Sequence, residues 1–318
     1  MLRMLLRRCV LGAVTVGIVS AIIFLGVELL PGDACTAFLE RDAKGKMLED
    51  CRRDFGLDRP ATTRYLEWAG NALQGDLGMS ASGRKSIIEL VSHRMKNSLL
   101  LAAVSLSVGV PIAIFLGVIT GLWRDKPIDI FLSTSAILAM TIPEFVSATV
   151  LILVFSVWLG WLPGIVVTSA SAPASAFFPE ILLPVIVLAM VMTAHILRMV
   201  RSSVIDVMTG DYIQMATLKG VPYWRMVFGH ALPNALLPAI NVVALTIAWL
   251  LGGVVVIEVV FNYPGLGRMM IDAISDRDLP VVQAIALIVA SVYVGVNLTA
   301  DILTMIANPR LRTLNLRR

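Results

Sequence analysis

The chain has 318 residues, 58% of them hydrophobic and only 15% charged, with a formal net charge of +4. A soluble domain cannot hide so much apolar surface, so the composition excludes soluble enzymes and points to an integral membrane protein. Long apolar runs in place of short alternating segments exclude a membrane barrel, and no basic stripe interleaved with aromatics offers a surface to nucleic acid.

The first apolar run, Cys9–Leu30, follows Arg3, Arg7 and Arg8. Arginines before an apolar run resemble a secretory signal, but the run is too long and lacks a small-x-small cleavage site, so a retained helix is expected. The polar stretch Pro31–Lys96 contains Cys35 and Cys51, whereas Cys9 belongs to the first apolar run. Further runs at Ser98–Trp123, Ile128–Leu159, Ile181–Val200, Leu236–Phe261 and Val281–Ile306 each supply the ~20 residues a crossing needs. The expected fold is all-α with six transmembrane helices. Ile128–Leu159 is longer than one crossing requires, and Pro143 within it predicts a kink. Gly117 and Gly121 form a small-xxx-small pair that predicts close helix packing. The chain thus divides into a first helix (1–30), an outer loop or cap (31–96), a transmembrane core (97–306) and a tail (307–318).

Basic residues set the expected orientation. Arg3, Arg7 and Arg8 precede span one, and Arg124 and Lys126 separate spans two and three. Arg201, Lys219 and Arg225 fall between spans four and five, and Arg310, Arg312, Arg317 and Arg318 lie in the tail. The stretch Gly160–Pro179 has no Lys or Arg, and Asn262–Leu279 sets Arg268 and Arg277 against Asp272, Asp276 and Asp278. Both termini are therefore expected in the cytoplasm. The long loop Pro31–Lys96 does not alter this, because loops of about 60 residues or more translocate largely regardless of charge.

One polar island, Asp211–Pro233 (DYIQMATLKGVPYWRMVFGHALP), interrupts the apolar pattern on the expected cytoplasmic side. It reads as a short helix, a glycine turn and a second short helix. Asp211 is expected to cap the first helix, with Gln214 completing a capping box. Tyr212, Met215, Ala216 and Lys219 have the spacing of one helical face. Gly220 stands where a helix ends in the left-handed conformation, and Pro222 suits the first turn of the next helix. There Trp224, Val227, Phe228 and Ala231 are again expected on one face.

The island resembles the cytoplasmic coupling loop of permease subunits of bacterial ABC importers. The family pattern of Glu-Ala-Ala, three residues, Gly and a later Leu-Pro maps onto Gln214-Met215-Ala216, Gly220 and Leu232-Pro233. The Glu and the first Ala are absent, and the Asp-Tyr…Ala…Lys-Gly form is similar to the dipeptide/oligopeptide/nickel branch. Other landmarks of that branch follow along nearly the whole chain: Pro31-Gly32-Asp33, Gly56-Leu57-Asp58-Arg59-Pro60, Gly75-Asp76-Leu77-Gly78-Met79-Ser80 and Gly160-Trp161-Leu162-Pro163. Then come Glu258-Val259-Val260-Phe261, Pro264-Gly265-Leu266-Gly267-Arg268, Arg277-Asp278 with Pro280, Asn297-Leu298, Asp301 and Asn308-Pro309-Arg310. The resemblance implies a type I ABC importer permease fold in the bacterial inner membrane, with di- or oligopeptides as the expected cargo and nickel, glutathione-like compounds, opines or sugars as the alternatives within such a branch. It also implies a second homologous permease, two cytoplasmic ATPases carrying ATP and Mg, and an extracytoplasmic solute-binding protein docking near Pro31–Lys96. Tyr212, Gln214, Met215, Ala216, Lys219 and Gly220 would then contact an ATPase, and this chain would bind no cofactor and perform no covalent chemistry.

Charges in or beside apolar spans have two readings. Glu144, Glu258 and Asp301 either line the translocation path or an inter-subunit lock, or pair structurally near the membrane edge, because unpaired charge is expensive there. Arg268 is the candidate partner for Glu258, and Arg198 or Arg201 for Asp301; Glu28 is similarly ambiguous. Gly78-Met79-Ser80-Ala81-Ser82-Gly83-Arg84-Lys85-Ser86 misses the phosphate-loop spacing and follows no apolar strand. His93, His195 and His230 are scattered, so no metal site is expected. Asn297-Leu298-Thr299 matches a glycosylation sequon but lies within a span. Cys35 and Cys51 share an exported loop, which permits a disulfide, with two free thiols as the alternative. Another functional class stays open: a self-sufficient channel or ion-coupled carrier using Glu144, Glu258 or Asp301 as ion sites.

Overall fold

The computed structural model describes residues 2–29, 35–36, 44–54, 56–82, 85–168 and 174–307. Pro31-Gly32-Asp33, Asn308-Pro309-Arg310 and the tail arginines lie outside the described residues. In chain order the helices are α1 (Leu2–Glu28), α2 (Gly45–Asp54), α3 (Ala61–Leu73), α4 (Ile87–Leu122) and α5 (Pro127–Thr141). Next is α6 (Glu144–Leu151), continued by a π-helical turn over Ile152–Trp158, and then α7 (Ala174–Met208) and α8 (Asp211–Leu218). A short α9 (Tyr223–Met226) passes through a π-helical turn over Val227–Ala231 into α10 (Leu232–Ala235). The series ends with α11 (Leu237–Val260), α12 (Leu266–Ser275) and α13 (Leu279–Ala307).

Among the described residues, five helices are long and apolar enough to cross a membrane: Leu6–Glu28, Ile87–Leu122, Phe177–Met208, Tyr223–Ile247 and Leu279–Thr299. The pair Pro127–Thr141 and Glu144–Trp158 makes a sixth crossing when taken as one broken span. The expected kink at Pro143 is a full break, with the two helices bent by 104°. Ile142, the residue before the proline, leaves the helix at ψ 124°, because the proline ring disfavours the α conformation of the preceding residue. Span four is longer than Ile181–Val200: α7 begins at Ala174 and carries Arg201 inside the helix, not in a connecting loop.

The chain packs as two units. One comprises Leu2–Leu99 with Asn262–Gly295, the other Leu100–Phe261 with the segment from Val296. In the first unit, Leu77, Ile87, Val91, Leu266, Ala273, Val281, Ala284 and Ile285 form a buried cluster. Tyr263 Oη donates to the Asn97 carbonyl (2.7 Å) and Asn97 Nδ2 to the Pro264 carbonyl (2.8 Å), tying the α11–α12 connection to α4. Cys35 and Cys51 are joined by a disulfide.

In the second unit α7 is the central helix, packed on by α5, α6 and α11. It also runs close beside α4, where glycines let the two backbones approach. A Cβ at Gly117 would stand 2.7 Å from Val200 Cβ and 2.9 Å from the Leu197 carbonyl oxygen; one at Gly121 would stand 2.6 Å from Val204 Cβ. Gly109 meets Met192 in the same way. Both members of these pairs advance together along the chain, so α4 and α7 run parallel with small residues at the seam.

Candidate functional site: the polar hairpin

The island folds as a helical hairpin, α8 to α10, whose end is fastened to α7 by a buried hydrogen bond from Ser203 Oγ to the Ala235 carbonyl (2.7 Å). The cap of α8 differs from the sequence expectation. Gly210 is the N-cap and no side chain caps the helix, while Gln214 Nε2 reaches back to the Thr209 carbonyl (3.2 Å). Asp211 instead occupies the first turn of α8, where its charge favours the helix dipole.

The helix ends as Gly220 predicts. Its φ is +73°, its N–H donates to the Thr217 carbonyl (3.0 Å), and the Val221 N–H reaches back to the Ala216 carbonyl (3.1 Å). That pair of hydrogen bonds is a Schellman motif, which uses two otherwise orphaned carbonyls. Pro222 then serves as N-cap of α9, one residue before the helix begins. Inside the turn, Ile213, Met226 and Ala231 form a small core, with Ala216 and Val221 packed on it.

This core divides the expected coupling face. Tyr212, Met215 and Lys219 are exposed, whereas Ala216 turns inward against the hairpin's own core. Leu218 is 82% exposed and joins the outer ridge. The expected face of α9 is split as well: Val227 and Ala231 are buried, while Trp224 and Phe228 are exposed. The π-helical turn over Val227–Ala231 accounts for the difference, since it shifts residues from α-helical register. Trp224 stacks on Phe228 (centroids 5.8 Å) and meets Tyr223 edge-on (5.2 Å), giving an aromatic patch on the second arm. A solvent-directed Leu and an aromatic stack on a hairpin with a filled core form a surface suited to a protein partner. Burial periodicity could have separated Ala216 from Leu218; the π register has no simple sequence signal.

The charged candidates fall in different places. Glu258 is fully buried near the end of α11. Glu144 starts α6 at the break, and its Oε2 is buried without a hydrogen-bond partner. The side chain of Asp301 lies outside the described residues. Arg201, one of its suggested partners, holds Asp129 in a two-pronged pair, Nε–Oδ1 2.6 Å and Nη2–Oδ2 2.7 Å. Asp129 is buried, and it also accepts from Ser133 Oγ and the Asp125 N–H. This pair, which joins the start of α5 to α7, was missed in the sequence because nothing local links residues so far apart. Glu28 pairs with Arg64 of α3 (2.5 Å).

In the loop that resembles a phosphate cradle, donors of Ser80, Ala81 and Ser82 are taken up by one carboxylate. Asp278, before α13, accepts from Ser80 Oγ (2.5 Å), Ser82 Oγ (2.8 Å), and the Ala81 and Ser82 N–H groups (both 3.1 Å). Burial raises the Asp278 pKa, but these hydrogen bonds outweigh it and hold the carboxyl below its ordinary value. Among the described residues, no three His, Cys, Asp or Glu side chains gather as a metal site.

The profile of the family described as "Binding-protein-dependent transport system inner membrane component" matches residues 109–313, and that of its N-terminal part matches residues 1–98. The chain is 32% identical over 309 residues to the "Probable peptide ABC transporter permease protein y4tP" of Sinorhizobium fredii (strain NBRC 101917 / NGR234), covering 97% of this chain and 98% of the relative. It is 35% identical over 298 residues to the "Glutathione transport system permease protein GsiC" of Escherichia coli (strain K12), covering 94% and 95%. A solved structure titled "Crystal structure of an amino acid ABC transporter with histidines" superposes with a TM-score of 0.50 at 18% identity, over 70% of this chain and 94% of that one. That likeness concerns the fold.

Proposed function

The chain belongs to the family of inner membrane components of binding-protein-dependent transport systems, and from that premise we propose what this permease carries and how it is driven. It is a multi-pass inner-membrane permease subunit of an ABC importer. The proposed cargo is a di- or oligopeptide, in keeping with relatives named for peptide and glutathione transport. It forms one half of a path completed by a second homologous permease. Two cytoplasmic ATPases supply the energy, ATP and Mg residing on them, and an extracytoplasmic solute-binding protein delivers the cargo.

The observation that carries this reading is the hairpin α8–α10, with Tyr212, Met215, Leu218 and Lys219 outward on one arm and Trp224 and Phe228 on the other. A ridge of this kind transmits work only if each nucleotide state of the partner favours a different arrangement of the spans. The orientation that puts the hairpin in the cytoplasm rests on the basic residues. The Cys35–Cys51 disulfide supports it, since such bonds persist on the oxidising side of the membrane.

Purifying a tagged subunit from membranes provides the test. The expected result is co-purification of ATPases and a second permease, with Leu218→Asp lowering ATPase recovery at least several-fold while the second permease is retained. Recovery of a homomer that transports without ATP would overturn the proposal in favour of a carrier or channel.

A further inference from the structure

Helix α3 has three distinct flanks, and their order around the helix carries information about depth. One flank lies on α1. Tyr65 Oη bonds Ser20 Oγ (2.9 Å), and Phe24 meets the rings of Tyr65 (5.4 Å) and Trp68 (6.3 Å). A second flank is polar, with Thr63, Glu67 and Asn71 exposed and Glu67 bridged to Arg59. The third is apolar and uncovered: Leu66 is 69% and Leu73 91% exposed, and they share an edge of the helix with Ala69 and no charged residue.

The neighbours Arg64 and Tyr65 give these flanks a direction. Arg64 reaches Glu28 at the end of α1, its guanidinium also 5.9 Å from the Phe24 ring centre. Tyr65 reaches the opposite way, to Ser20, about two helical turns or ~12 Å deeper along the same helix. Going around α3 from Arg64 to Tyr65 therefore leads from the water end of α1 into its membrane-crossing part. The Leu66–Leu73 edge lies further around in the same sense, and the Glu67–Asn71 edge lies on the opposite side. The uncovered edge is also continuous in character with α1, whose Ile18, Ile22 and Leu25 are each more than half exposed in a span long enough to cross the bilayer.

We propose that α3 lies in the membrane interface with Leu66 and Leu73 among the acyl chains of the leaflet at the Glu28 end of α1. Its third flank then meets lipid, its polar flank meets water, and Tyr65 and Trp68 take the interfacial level that suits their amphipathic rings. The Arg64–Glu28 pair and the Tyr65–Ser20 bond hold the helix at that depth. The proposal depends on α1 being a span and not on the identity of the cargo or of the ATPases.

Nitroxide labels measure the depth. Leu66→Cys, Leu73→Cys, Thr63→Cys and Asn71→Cys are introduced singly into a Cys9→Ser form of the full-length chain, leaving Cys35 and Cys51 bridged. The protein, with the subunits that co-purify, is reconstituted in phosphatidylcholine–phosphatidylglycerol vesicles, and spin relaxation is measured with oxygen and with a water-soluble nickel chelate. The expected ratio of oxygen to nickel accessibility at positions 66 and 73 is at least fivefold that at 63 and 71. Equal ratios at all four positions would overturn the proposal by placing the whole helix in water. Immobile labels at 66 and 73 shielded from both reagents would overturn it in favour of a protein partner on that edge.

Discussion

Gly220 holds a conformation that costs an L-residue with a side chain about 1–2 kcal/mol. No atom stands within 4 Å of where its Cβ would be, so the cost is in the backbone and not in a clash. Gly220→Val is therefore expected to distort the Schellman turn and abolish ATP-driven uptake in reconstituted vesicles, with the subunit still assembled and ATP hydrolysis continuing. Gly220→Asn, which tolerates the left-handed region, is expected to retain most of the uptake. Equal uptake by the Val and Asn forms would count against the turn as a transmission element. The left-handed cap at this glycine was legible in the sequence because such caps have a strong residue preference. The capping box was not a sound reading, because Gly210 took the cap and Gln214 found the Thr209 carbonyl instead. Nor could spacing alone assign Ala216, since the hairpin's private core of Ile213, Met226 and Ala231 decides which residues turn inward.

Pairs of helices carry most of the long-range specificity. At the α4–α7 seam, Gly117→Leu would drive a side chain into Val200 and the Leu197 carbonyl. It is expected to lower the melting temperature of the detergent-solubilised subunit, whereas Gly17→Leu, at a site with open space in α1, should leave it nearly unchanged. Asp129→Ala would leave the Arg201 charge without its carboxylate. Removing one partner of a buried pair typically costs about 3–5 kcal/mol, with some reduction here because the Arg201 side chain is 28% exposed. The expected outcome is a clear loss of thermal stability, partly restored when Arg201→Met is added and the orphaned charge is removed. The glycine pair was visible in the sequence through its small-xxx-small spacing, as was the interruption at Pro143. The Asp129–Arg201 pair was not, because an ion pair between separate helices depends on their packing register and leaves no local pattern.

Across the whole molecule, six apolar runs were enough to give the helical membrane architecture, since a bilayer demands length and hydrophobicity above all. The division into two packed units was not readable, because it joins Asn262–Gly295 to the N-terminal helices. Asp278 is part of that joining, and its acidity makes a pH-dependent prediction. Its carboxyl is held below the ordinary value of an aspartate. Its stabilising contribution is therefore present above the unfolded value and is lost as pH falls through the folded one. Asp278→Asn is expected to lower thermal stability at pH 7, and the difference from the unaltered chain should shrink below about pH 3.8. A difference that grows on acidification would contradict the assigned linkage. The parallel seam between α4 and α7 has a consequence for biogenesis. During synthesis α4 enters the bilayer before α7 exists, and the broken span must be inserted between them. Until α7 arrives, Gly109, Gly117 and Gly121 have no valine or methionine ridge against them, and Asp129 has no guanidinium. The newborn half-bundle therefore keeps an open glycine seam and an unpaired carboxylate until the helix that carries Arg201 joins it.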